Sequence, residues 1–339
     1  MKLIKTEDAV GHVLCHDLTQ IIKDQYKDAR FRKGHVVTQE DIPVLLSMGK
    51  EHLYVWEMTP GMLHENDAAE RLYTLCVGDH MDRSEVKEGK IELKAACDGL
   101  FRVNSEKLMA VNSIEDIMIA TRKGGTAVRK GDKLAGMRVI PLIIPEEKLQ
   151  AAEQAAGDTP LLELKPWVRR TAAIVATGSE VKKGLIQDTF PPVVKDKLAF
   201  YGIETLSVSY SGDGVENVAN AIAEARATGA DVILCTGGMS VDPDDNTPGG
   251  IKESGAKIIT YGAPVLPGAM FLLGYYDDGT PVMGLPGCVM YAGATIFDLV
   301  LPFVTADVPV TRQQIVTLGE GGLCLGCKPC HWPECPFGK

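Results

Sequence analysis

Two short apolar runs, each closing on a glycine turn, constrain this chain more than any other feature of its sequence. Ala172-Ala173-Ile174-Val175-Ala176 leads into Thr177-Gly178-Ser179-Glu180, and Asp231-Val232-Ile233-Leu234-Cys235 leads into Thr236-Gly237-Gly238. A strand apolar at consecutive positions must be covered on both faces, as a parallel strand between helix layers is. The sequence between the runs supplies the cover. Val193 to Tyr201, with Pro191 and Pro192 near its start, reads as a helix, and Ile203 to Tyr210 reads as a strand. Val215, Val218, Ala219, Ile222 and Ala225 keep helical spacing. This β-α-β-α-β order predicts an α/β fold, a three-layer, doubly wound, mainly parallel sheet with right-handed crossovers. Ligands collect beyond the carboxyl ends of such strands, where the glycine turns fall.

The first 168 residues follow another pattern. Within Glu40 to Gly49, residues Ile42, Leu45, Leu46 and Met48 share one helical face, with Thr38 as the expected N-cap and Gly49 as the stop. Leu53-Tyr54-Val55-Trp56 reads as a strand. Residues 60–168 read as an inserted or separate unit, β-rich with a helix or two, because short alternating runs are broken by turns such as Asp98-Gly99, Gly124-Gly125 and Lys130-Gly131-Asp132. The run Ala151 to Thr159 reads as a helix end or linker. The expected organisation is a smaller β-rich or α+β N-terminal region divided into 1–58 and 60–168, an α/β domain over 170–305, and a cysteine-rich tail over 311–339.

A hydrophobic fraction of 45% in 339 residues is ample for a buried core. The formal charge of −10 argues against nucleic acid or an anionic membrane surface as partner, since phosphate backbones select lysine and arginine stripes. No apolar stretch reaches the length of a membrane span, and the opening MKLIKTEDAVGHVLCHD carries charges where a signal peptide is apolar, so a cytoplasmic location is expected. An anionic ligand would then have to be held by local backbone donors. Thr177-Gly178-Ser179-Glu180, Ser211-Gly212-Asp213-Gly214 and Thr236-Gly237-Gly238-Met239-Ser240 have the makings of such cradles: glycine admits close approach, and consecutive N–H groups beside a hydroxyl bind anions.

The segment Thr236-Gly237-Gly238-Met239-Ser240-Val241-Asp242-Pro243-Asp244-Asp245-Asn246-Thr247-Pro248 resembles the signature of the molybdopterin-binding family. That family comprises molybdopterin adenylyltransferases, whose Asp-x-Thr-Pro ending is similar to 245–248, and molybdopterin molybdenumtransferases, whose turns are similar to 177–180 and to Gly284-Leu285-Pro286-Gly287. Fainter likeness to the molybdenumtransferases' leading domains lies in Ala9 to Leu14 and Phe31 to Gly49. The chain departs from that family in lacking an S-A-M-D-G-Y-A segment and in carrying Asp242 and Gly249 where glycine and glutamate are usual. Cys288-Val289 likewise replaces asparagine-proline. The resemblance implies molybdopterin binding through Thr177, Gly178, Ser179, Glu180, Ser211, Asp213, Thr236, Gly237, Gly238, Met239, Ser240, Thr247, Pro286 and Gly287. It further implies chemistry at Asp245 and Asp242, with magnesium on Asp245. Implied roles are molybdate insertion, adenylylation from magnesium-ATP, or a non-catalytic role as carrier or sensor of the cofactor with a molybdoenzyme as partner, in a homo-oligomer. The alternative for Asp242 to Asp245 is a solvated turn capping the next helix.

The tail is a second signal. Cys324, Cys327, Cys330 and Cys335 lie with His331 in Cys-Leu-Gly-Cys-Lys-Pro-Cys-His-Trp-Pro-Glu-Cys-Pro, a thiolate-rich run suited to zinc or an iron–sulfur cluster. Trp332 and Phe337 suggest a packed segment. The scattered His12, His16, His35, His52, His64 and His80 form no ligand spacing.

Overall fold

The computed structural model describes residues 2–22, 26–55, 60–179, 189–243 and 245–339, so Trp56, Glu180 and Asp244 lie outside the described residues. Two compact units are present. One comprises Met1–Ala96, Val103–Gly124 and Lys130–Glu163, and the other Cys97–Arg102, Gly125–Arg129 and Leu164–Lys339. Residues 1–58 and most of 60–163, expected as two regions, thus group together, while the stretches 97–102 and 125–129 group with the later chain.

The first unit is largely antiparallel. Lys2–Lys5 pairs with His52–Val55, and Leu18–Ile22 with Tyr26–Phe31. Met81–Arg83, Lys90–Ala95, Lys133–Val139 and Ile117–Thr121 form a four-stranded sheet in that order. Where a helix or two was expected over 60–168, there are three: Glu65–Cys76, Ser105–Asn112 and Glu146–Ala156. The first and third are clamped by Arg71, whose guanidinium donates from two nitrogens to the Glu153 carboxylate at 2.7 and 2.8 Å. Thr38 is not the N-cap of helix Asp41–Ser47. Its N–H and hydroxyl both donate to Asp41 Oδ2 at 2.8 Å, because a carboxylate in the first turn outcompetes a hydroxyl for the entering chain.

The second unit is built on a six-stranded sheet. Its elements are β1 (Thr171–Thr177), α1 (Phe190–Phe200), β2 (Glu204–Ser211), α2 (Val215–Ala227), β3 (Val232–Thr236), α3 (Thr247–Glu253), β4 (Lys257–Tyr261), β5 (Leu272–Tyr275), β6 (Pro281–Leu285) and α4 (Ile296–Thr305). The strand order is β2-β1-β3-β6-β5-β4, and only β5 runs against the rest. Strand alternation divides the core between two layers. Ala172, Ile174, Val232, Leu234 and Met283 join a cluster containing Val194 and Leu198 of α1 and Phe297 and Val300 of α4. Ala173, Val175, Ile233, Cys235 and Val282 join Val218 and Ile222 of α2 and Ile251 of α3. The unbroken apolar runs are explained by this: each strand has oil on both sides. Leu100, from the 97–102 excursion, also enters the first cluster.

Asp231 fixes where β3 begins against β1. Its Oδ2 accepts from Arg170 N at 2.7 Å and from Thr171 N and Oγ1 at 2.9 Å. Burial pushes this carboxyl upward, but those hydrogen bonds and the Arg169 charge outweigh it and hold its pKa below the ordinary value. A depressed folded pKa contributes stability that is complete above the unfolded value, about 3.9, and is lost as pH falls through the folded one. Asp231→Ala is therefore expected to cost about 1–3 kcal/mol at pH 7. The deficit should shrink in urea unfolding repeated near pH 3; an equal deficit at both pH values would show that the charge is not what holds this corner.

Candidate functional site

Parallel pairing brings the strand ends together in one row. Thr177 stands opposite Ser211, Ala176 opposite Thr236, and Thr236 opposite Leu285. The loops after β2, β1, β3 and β6 are consequently neighbours along one sheet edge, and β4 ends at the same edge. Winding reverses between β1 and β3, since the chain goes from β1 to β2 on one side and returns to β3 on the other. The gap beyond Thr177 and Thr236 is the switch point at which doubly wound sheets take ligands.

The turn after β3 is shaped by what lies under it. Gly237 and Gly238 have φ of +83° and +53°. A Cβ on Gly237 would fall 2.3 Å from Thr177 O, and one on Gly238 would fall 2.8 Å from Thr247 Oγ1. Beneath them the Thr177 hydroxyl donates to Thr236 O at 3.1 Å and shares a 2.8 Å hydrogen bond with the Thr247 hydroxyl. Having one proton, Thr177 gives it to the carbonyl and accepts from Thr247. Thr177, Ser211, Thr236 and Thr247 are all buried. The Ser211 hydroxyl turns onto Gly212 O at 3.0 Å. In this structure the hydroxyls of Thr177, Thr247 and Ser211 hold loops, and the outward surface belongs to the residues between them.

That surface is formed by Gly178, Ser179, Asp213, Gly237, Gly238, Ser240 and Gly287, all half-buried or exposed. Ser179 N donates to Asp213 Oδ1 and Asp213 N to Ser179 Oγ, each at 3.3 Å, so the first two loops are cross-linked reciprocally. Met239 and Pro286 are buried, Met239 with its sulfur against Gly284, where a Cβ would come within 2.5 Å. Both belong to the floor of the site. Asp245 is half-buried; its Oδ2 accepts from Ser240 N at 2.8 Å, and its N–H donates to Asp242 O at 2.9 Å. Among the described residues Asp245 Oδ1 takes no hydrogen bond. The Asp242 side chain is exposed.

Tyr261, at the end of β4, is a site residue that sequence reasoning did not find. Its hydroxyl donates to Met239 O at 3.0 Å and Ser240 O at 3.3 Å, bracing the glycine turn from the far side. Burial and the neighbouring Asp245 charge both raise its pKa, keeping the phenol a donor. The available signal was Ile258-Ile259-Thr260-Tyr261 running into Gly262, a fourth strand closing on a glycine.

Loops 177–179, 211–214, 236–243, 245–248 and 284–288 contain Asp213, Asp242 and Asp245 but no lysine, arginine or histidine. Lys182 and Lys183, which continue the loop after Ser179, lie outside the described residues. Among the described residues no three His, Cys, Asp or Glu side chains are gathered as a metal ion requires. No helix among them is long and apolar enough to cross a membrane.

Comparison with known proteins gives two family matches: "Probable molybdopterin binding domain" over residues 173–306, and a domain of unknown function over residues 3–57. A CinA-like protein of Desulfosudis oleivorans is 37% identical over 86 residues, 25% of this chain and 21% of that protein. Another, of Pseudothermotoga lettingae, is 32% identical over 85 residues, again 25% and 21%. The chain thus spans about a fifth of the length of these curated relatives. Among solved structures, the tungsten cofactor synthesizing protein MoaB of Pyrococcus furiosus aligns at 22% identity over 36% of this chain and 84% of that one, TM-score 0.31. The molybdopterin biosynthesis MoeA protein of Pyrococcus horikosii aligns at 16% identity over 91% and 75%, TM-score 0.34.

The Thr177 hydroxyl makes a direct prediction. Thr177→Val leaves the Thr236 carbonyl and the Thr247 hydroxyl buried without a partner, so a loss of about 1–3 kcal/mol is expected in denaturant unfolding, most of it restored in Thr177→Ser. Equal stability of the valine variant would show the hydroxyl to be idle.

Proposed function

We propose, from the match of residues 173–306 to the probable molybdopterin binding domain, that this protein binds a molybdopterin-type pterin by its phosphate end and assists insertion of molybdate into it. The observation that carries this reading is the row of glycine turns at the switch point. The ends of three parallel strands bring these loops to a common gap, over a floor locked by Thr177 and Thr247.

The phosphate meets the amides of 237–239, which act as fixed dipoles, while those of Gly178, Ser179 and Ser240 are given to Ser211 O, Asp213 Oδ1 and Asp245 Oδ2 and hold the surrounding loops in place. Among the described residues of these loops no side chain is basic, and the Asp245 carboxylate would hold magnesium to balance the remaining charge. The exposed Asp242 stands three residues away to share that cation. Such a cation would supply electrostatic stabilisation for an oxyanion such as molybdate, with Asp245 and Asp242 holding it beside the glycine turn. On this reading the protein is an enzyme of the transferase type. The Asp245-Asn246-Thr247-Pro248 run supports a second reaction, adenylylation of the pterin from magnesium-ATP, which would release pyrophosphate.

The test is the fluorescence of oxidised pterin recovered after anaerobic purification, for wild type and Asp245→Asn, each with magnesium or with EDTA. Asparagine keeps an acceptor for Ser240 N but loses the charge. About a tenfold drop in retained pterin is expected for the variant in magnesium, and no difference between the proteins in EDTA. If the wild type retains no pterin and takes none up, the proposal fails. Pyrophosphate release from ATP would assign adenylylation in place of molybdate insertion.

A further inference from the structure

The end of the chain forms a site of its own. The tail is pinned where it enters, by Leu266 N donating to Gly322 O and Cys324 N to Leu266 O, both at 2.8 Å. It is pinned again where it leaves: Phe337 is buried in the core cluster, and Gly338 N donates to Gly321 O at 2.9 Å. Between these anchors Cys324, Cys327, Cys330, Cys335 and His331 all line one partly enclosed cleft. Trp332 and Phe337 wall it edge to face, their ring centroids 5.8 Å apart. Cys330 rests on Gly293, where a Cβ would come 2.6 Å from its sulfur, and Lys197 Nζ holds the Gly293 carbonyl at 3.2 Å. All four thiols are free.

We propose that this cleft is the binding site of a four-iron, four-sulfur cluster ligated by Cys324, Cys327, Cys330 and Cys335. The chemistry of the donors comes first: four soft sulfurs with no carboxylate among the residues lining the cleft select iron–sulfur or zinc over hard cations. Spacing decides between those two. Structural zinc is usually gripped by two pairs of ligands separated by an intervening loop. Here Cys324, Cys327 and Cys330 recur at every third position, as in the bacterial cluster-binding run, whose fourth cysteine serves a second cluster; Cys335 joins this site because it lines the same cleft. Geometry agrees. A zinc ion needs four sulfurs about 2.3 Å from one point. These four thiols all line one cleft, where a cluster would offer each thiolate a different iron. The aromatic walls limit solvent access, one of the means by which proteins set a cluster's potential. Binding requires each thiol to give up its proton as its sulfur joins an iron. None of this depends on the pterin.

The experiment uses the full chain, purified anaerobically and separately reconstituted from its metal-free form with iron and sulfide. About four iron and four sulfide per chain are expected, with broad visible absorption and a paramagnetic signal on reduction. Cys330→Ser is expected to lose at least about half of the iron. Gly293→Val should do so as well while leaving every thiol intact, because it displaces Cys330 from an exposed loop; Cys97→Ser, away from the cleft, should match wild type. About one zinc per chain without iron or sulfide, or no metal taken up at all, overturns the proposal. So does iron content unchanged in both Cys330→Ser and Gly293→Val.

Discussion

The hydroxyl of Thr177 joins three pieces of chain that are distant in sequence: the end of β1, the carbonyl that closes β3, and Thr247 at the start of α3. A buried hydroxyl with donor and acceptor both used is costly to dislodge, so the loops around it keep one arrangement. The glycine turn then has no choice of path, because it must pass between that hydroxyl and Tyr261. A backbone fixed in this way can present N–H groups to a ligand without first paying to order them.

The chain's two candidate sites rest on opposite chemistries. At the sheet edge the donors are hard oxygens and peptide dipoles, which favour anions and small divalent cations. In the tail they are sulfurs walled by aromatic rings. The two are linked through covalent structure: the loop that leaves β6 at Gly287 runs within a few residues to Gly293, against which Cys330 lies.

Much of the second unit was legible because its signals are local. A strand covered on both faces must be apolar at every position, and a helix between parallel strands must carry a stripe, so 171–177, 215–227 and 232–236 could be read directly from residue order. Where contacts are long-range the sequence was silent. Nothing near Leu100 announces that it belongs with the helices of the second unit, and the bracing role of Tyr261 depends on a hairpin that returns β4 to the site edge. The threonines show a subtler limit. Residue type marked Thr177 and Thr247 as belonging to the site, but whether a hydroxyl faces a ligand or another hydroxyl is decided by burial, which spacing does not encode. Glu180 and Asp244 lie outside the described residues.

Met239 occupies the space that a side chain at position 284 would need, two strands' ends meeting through one sulfur and one bare α-carbon. The two positions therefore share a single volume. In any set of homologous sequences, bulk gained at 284 must be matched by bulk given up at 239, and the pair should drift together. Exchanging either loop alone with that of a relative would then import half of a fitted joint.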